Sequence, residues 1–225
     1  MSDAFTLIIE TSTPRASVAV AMPDGSVEQH EFSSDRNHNS ALFAPLEKLL
    51  EARRPMLPGL VIVGSGPGSY SGTRVGIAAA QGVAIAAGCA VVAVPSILAV
   101  GSVRKCGRGL AIGDARRGSF WTAEMNDAAM DKAPLLTDLT GLAQAVTIAI
   151  SEGIAVFCFE DPERFPLPEA MRFHVKTELP DAAGLWAAWN ASAPADRERW
   201  AALTPEPIYL KPPHITPSKK GMVIG

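Results

Sequence analysis

Two acidic residues stand at places where chemistry could be done. Glu10 ends the apolar run Phe5–Ile9, and Asp114 ends a second run that begins at Leu110. Thr11, Ser12 and Thr13 follow the first acid directly, so hydroxyls stand beside a carboxylate at a strand end. In a two-lobed cleft, paired acids of this kind hold a metal-bound nucleotide and the hydroxyls line its phosphates. The same residue types also cap turns by accepting hydrogen bonds from backbone N–H groups. A hairpin that grips phosphate usually has glycine in its turn so that the backbone can approach, and Thr11–Pro14 has none.

The second chemical feature is the stretch Gly64-Ser-Gly-Pro-Gly-Ser-Tyr-Ser-Gly-Thr-Arg-Val-Gly76. It lies between an apolar strand, Leu60–Val63, and an Ala-rich helix expected from about Thr73 to Ala87. Glycines at such a junction permit positive φ and close approach, and the helix start offers unpaired N–H groups. That combination cradles an anion or seats a partner surface. It is not a Walker loop, because Gly72 is followed by Thr73 and Arg74. It is not a dinucleotide fingerprint, since Ser69 or Ser71 stands where the third glycine is required. It is not a hydrolase elbow either, with Tyr70 at the centre of Gly68–Gly72. His30, His38, His174 and His214 never stand at ligand spacing, and Cys89, Cys106 and Cys158 form no Cys-x-x-Cys. No nucleophile–base set stands out.

These residues must be positioned by a chain of 225 residues, 48% hydrophobic and 19% charged, which is globular composition. A net charge of −3 argues against a whole surface built to grip nucleic acid. The Ala- and Gly-rich run Val75–Val100 is broken by Gly82, Gly88 and Pro95, so it reads as a buried helix and strand, not a membrane span. The N-terminus lacks a secretory pattern, and unpaired cysteines fit a cytoplasmic protein.

The expected elements begin with an antiparallel meander: Phe5–Ile9, Ser17–Met22 and Val27–Phe32. A helix follows over about 40–53, then strand, glycine loop, Ala-rich helix and strand Ala90–Val94. Residues 101–109 read as a linker. After it the opening pattern returns, with a strand ending on Asp114, a tight turn, and the strand Ser119–Met125. The repetition predicts two lobes, 1–102 and 103–225. Further on, Gly141–Ser151 and Ala182–Ala191 read as helices and Ile154–Phe159 as a strand.

Two helical stripes suggest a binding surface. Leu42, Leu46, Leu49 and Leu50 recur at helical spacing on the first helix, and Gly76, Ala79, Ala80 and Val83 make a smoother stripe on the second. Both stripes could equally face their own sheet.

At this point the residues resemble the TsaB (YeaZ) family. The similarity rests on Ile8–Thr13 with Ser17–Ala19, on Arg36-Asn-His38, and above all on the segment Gly66–Gly76 that contains Pro67, Ser71, Gly72 and Arg74. Val94-Pro-Ser96, Asp114-Ala-Arg116 with Trp121, and Pro207–Lys211 complete it. The resemblance implies an actin-like, ribonuclease-H-like α/β fold with a mixed sheet and flanking helices in each lobe. It implies a non-catalytic scaffold for tRNA N6-threonylcarbamoyladenosine formation, partnered by a TsaD-type catalytic paralogue and a TsaE-type ATPase. It also implies a homodimer when alone and tRNA contact only within the complex, with no membrane association. Partner contacts fall on the two striped helices. A cleft bounded by Glu10, Thr11, Ser12, Gly66, Gly68, Ser69 and Asp114 would be where ATP or ADP binds, if the chain is instead an active nucleotide enzyme. Glu10 replaces the Asp usual in the family and would crowd a metal-bound phosphate. No cofactor, metal or catalytic residue is expected.

Overall fold

Two mostly apolar runs followed by a polar one are the pattern of two inner strands and an edge, and the chain opens that way. A computed structural model describes residues 4–33, 38–127, 129–130 and 132–210, with the backbone alone at 38–40. Arg36, Asn37, Lys211, His214, Lys219 and Lys220, and the side chain of His38, lie outside what it describes.

Strands β1 (Phe5–Glu10), β2 (Arg15–Ala21), β3 (Val27–Ser33), β4 (Pro58–Gly64) and β5 (Ala90–Val94) form one sheet in the order β3-β2-β1-β4-β5. β1 pairs antiparallel with β2 and parallel with β4, so its Glu10 end lies beside the glycine loop that follows β4. The polar β3 is the edge, where charged residues such as Glu28 and Glu31 discourage further pairing.

The second sheet repeats the plan. It contains β6 (Gly109–Asp114), β7 (Phe120–Met125), β8 (Leu135–Thr137), β9 (Val156–Cys158) and β10 (Val175–Thr177), in the order β10-β9-β6-β7-β8. Pairing is antiparallel for β6–β7 and β7–β8 and parallel for β6–β9 and β9–β10, as in the first sheet. The repetition of strand, acid, turn and strand read from the sequence is thus a repeated topology.

Side-chain alternation along β1 divides the core into layers. Phe5, Leu7 and Ile9 face helices α1 (His38–Glu51) and α2 (Tyr70–Ala87). Ile8, with Ile62, Val92 and Val94, faces a central layer that also receives Ala111, Trp121 and Phe157 from the second sheet. Into that layer pack a 3-10 turn (Ser96–Ala99), α3 (Gly101–Cys106) and α6 (Ala182–Ala191). The far side of the second sheet buries Leu110, Ile112 and Phe120 under α4 (Leu139–Ser151). The remaining helices are α5 (Glu169–Arg172) and α7 (Pro194–Ala201), and Trp200 of α7 is buried in the central layer.

Two expectations need correction. Residues 101–109 are not a linker: Val103 is fully buried in the central layer, and Gly107 caps α3 at φ 67°. The apolar anchor at Val103 makes the segment a helix despite its glycines and basic residues. α2 also begins three residues before Thr73, because Ser69 supplies the N-cap. No helix among the described residues is long and apolar enough to cross a membrane.

Candidate functional site

The glycine loop is built around the turn between β1 and β2. A Cβ on Gly68 would overlap the Ser12 carbonyl oxygen, one on Gly72 the Thr11 carbonyl oxygen, and one on Gly76 the Thr11 hydroxyl. Hydrogen bonds lock the same contact. Ser69 N–H donates to the Ser12 carbonyl at 2.6 Å, and Thr11 Oγ1 donates to the Gly72 carbonyl at 2.8 Å. Ser69 Oγ in turn accepts the Gly72 N–H at 3.2 Å, which satisfies one of the open donors of α2. Gly66, at φ 84° and followed by a cis peptide to Pro67, exchanges hydrogen bonds with Ser96. Neither an anion nor a partner surface accounts for these glycines: Gly68, Gly72 and Gly76 make room for the chain's own turn.

Glu10 is fully buried. Oε1 accepts the Ser12 N–H at 2.7 Å, while Oε2 has no hydrogen-bond partner. The carboxylate is wedged against Gly64 and Ser96, and a Cβ on Gly64 would collide with Oε2. Burial raises the Glu10 pKa above the usual carboxylate range. Ser12 and Ser96 partly oppose that rise, and the negative charge of Asp181 adds to it.

An interlobe cleft of about 860 Å³ lies beside this cluster. Ser12, Gly68, Ser69 and Asp114 line it, but Glu10, Thr11 and Gly66 do not. The two acids therefore do not converge on one space, a correction to the paired-acid arrangement. Glu10 is drawn inward between β4 and Ser96. Asp114 instead accepts the Arg116 N–H at 2.6 Å and pairs with the Arg116 guanidinium at 3.2 Å. That bond supports a turn in which Arg116 and Arg117 both take positive φ, a conformation costing roughly 1–2 kcal/mol for a residue with a Cβ. Glu160 accepts the Asp114 N–H and pairs with Arg164, so both ion pairs at the cleft are internally compensated. No group of three or more His, Cys, Asp or Glu able to hold a metal ion is found among the described residues.

The helix faces also need correction. Leu42, Leu46, Leu49, Gly76 and Ala80 are buried in the layer between the helices and the first sheet. Leu50, Ala79 and Val83 are partly buried against the same layer. The stripes read from spacing are therefore mostly the core face, and Gly76 is small because Thr11 sits against it. The outward side of α2 is a different stripe of Ser71, Arg74, Ala78, Gly82 and Ile85. Ile85 is 82% exposed, and a Cβ on Gly82 would meet nothing within 4 Å. On neighbouring α1, Phe43 is 54% exposed and shares a side with Leu50, two turns on. A large apolar residue opposite the small-residue stripe, as Ile85 is, was the available signal.

Sequence reasoning also missed what Arg74 does. Its guanidinium lies over the Tyr70 ring at 3.9 Å and donates to the Tyr209 hydroxyl at 3.0 Å. It ties the first turn of α2 to the closing motif.

Two five-stranded mixed sheets of identical order, sharing a central layer and bounding a cleft beyond β1 and β6, define an actin-like, ribonuclease-H-like α/β protein. Residues 31–171 match the family model of TsaD, tRNA N6-adenosine threonylcarbamoyltransferase, and the chain belongs to that family. Similar solved structures include a Pseudomonas aeruginosa protein described as uncharacterised with similarity to the peptidase YeaZ. It is 21% identical with a TM-score of 0.67, over 92% of this chain and 100% of that one. YeaZ from Pseudomonas aeruginosa is 22% identical with a TM-score of 0.63, over the same shares. At these identities the likeness is one of fold. No curated protein matches by sequence.

Proposed function

We propose that this chain is a TsaB-type scaffold subunit in tRNA N6-threonylcarbamoyladenosine modification, binding and supporting a catalytic TsaD-type paralogue without a reaction of its own. Family membership and the YeaZ-like fold support a role in this tRNA modification. The observation that carries the scaffold reading is Ile85. It is a large apolar side chain 82% exposed beside Ala78 and Gly82, whose small size lets a partner helix approach closely. Phe43 offers a second anchor on α1. A TsaE-type ATPase and tRNA would join the assembled complex, and a second copy would cover the same face when the chain is alone. The chain works without bound ATP or ADP in this reading. Calorimetry with ATP and magnesium checks that point, and tight binding lost in Asp114→Ala would count against it.

Ile85→Glu and Phe43→Glu test the interface, because each places a charge at an exposed position. Both should abolish co-purification with the TsaD-type paralogue while leaving the thermal melt near wild type. Undiminished capture by both variants would refute the assignment.

A further inference from the structure

Pro207–Leu210 contributes a wall of the interlobe cleft, facing Gly113, Asp114 and Arg164 of the second lobe. Ile208 N–H donates to the Ser65 carbonyl at 2.8 Å, just beyond the end of β4. Leu210 packs against the central layer. Tyr209 is held from the other side, with its hydroxyl 3.0 Å from Arg74 Nη2 and its ring centroid 5.4 Å from that guanidinium. Tyr70 completes a sandwich, its ring 6.5 Å from that of Tyr209. Tyr70 is 59% exposed and Tyr209 46%, so the clamp meets water on both sides. Water competes for exposed contacts of this kind and weakens both the cation–π contact and the charge-assisted hydrogen bond from Arg74. These contacts hold one wall of the cleft in place, and local opening can break them.

We infer that Pro207–Leu210 is a releasable strap, latched by Arg74, that closes the interlobe cleft in the free chain. The latch belongs to the first lobe and the wall it brings up faces the second, so release widens the cleft between them. Arg74 also lies on the outward stripe of α2, which makes the latch accessible from the surface. Strap, latch and cleft all belong to one chain, so the inference does not rest on the scaffold reading.

Hydrogen exchange on the full-length chain, compared with Arg74→Ala and Tyr209→Ala, tests the latch. The Ile208 amide should be protected in the wild type. It should exchange roughly tenfold faster in either variant, the scale of one exposed cation–π contact with its hydrogen bond. Amides of β1 should stay unchanged, which separates release from unfolding. Closure is read from a thiol introduced by Thr13→Cys, a buried position on the cleft wall, with Cys89→Ala and Cys106→Ser in the background. Its labelling should accelerate along with Ile208 exchange when Arg74→Ala is added. If the latch variants fold poorly, Ile208→Pro removes the donor to Ser65 and should give the same labelling increase. An unprotected Ile208 amide in the wild type, or exchange unmoved by the variants, overturns the strap. Faster exchange with unchanged labelling overturns the closure.

Discussion

Two alanine substitutions in one helix should move stability in opposite directions. At Gly82, in the outward stripe of α2, an added methyl meets nothing within 4 Å. Replacing a helix-interior glycine with alanine recovers about 0.5–1 kcal/mol of backbone entropy and propensity. For a chain of this length that raises the melting temperature by about 1–4 °C. At Gly72, in the first turn, the same methyl would overlap the Thr11 backbone carbonyl oxygen. The turn cannot retreat freely, because Ser69 N–H to Ser12 and Thr11 Oγ1 to Gly72 hold it in place. Overpacking costs typically 1–3 kcal/mol, and a strained or lost neutral hydrogen bond adds about 1 kcal/mol, which together exceed the propensity gain. Gly72→Ala should therefore melt several degrees below wild type and Gly82→Ala above it, read by calorimetry or circular dichroism in one buffer. Shifts of the same sign, or a neutral Gly72→Ala, would refute the claim that the loop glycines serve the chain's own turn.

Other expectations concern the buried acid, the thiols and the helix faces. Glu10 has a raised pKa in the fold, so its contribution is fully present below its unfolded value of 4.5 and is lost as pH rises through the folded value. Glu10→Gln cannot ionise. Urea titrations should show the stability of Glu10→Gln relative to wild type rising from pH 4 to pH 8, because only the wild-type side chain must ionise against its desolvation. Equal pH profiles would mean that the carboxyl is solvated. Burial pushes the Cys158 thiol up to about 11, whereas Cys106 is exposed. At pH 8 a maleimide should label Cys106 in the native chain and reach Cys158 only after denaturation. Leu46→Glu places a charge in the layer against the first sheet and should unfold the chain, in contrast to Ile85→Glu. Circular dichroism separates the two outcomes.

The strands were legible because their signals are local. Leu7–Ile9 is a continuous apolar run, as a strand buried on both faces requires, and β3 is polar as suits an edge. The duplicated plan was visible in the two acids and their turns. Helix orientation was less legible. Leu42, Leu46 and Leu49 look the same in sequence whether they face a sheet or a partner, and only burial separates the cases. The glycine at 76 likewise gives no hint that Thr11, far away in sequence, occupies its missing side chain. Val103 turned an apparent linker into α3 through a tertiary contact that no local propensity announces. The Tyr70–Arg74–Tyr209 clamp joins residues 135 positions apart, beyond the reach of any periodicity.

Reconstitution of threonylcarbamoyladenosine formation on tRNA, with the catalytic paralogue present and this chain added or withheld, tests the central claim most directly. The account predicts product when both are present, none from this chain alone, and a loss when Ile85→Glu replaces the wild type. Product formed by this chain unaided, or full activity in its absence, would contradict it.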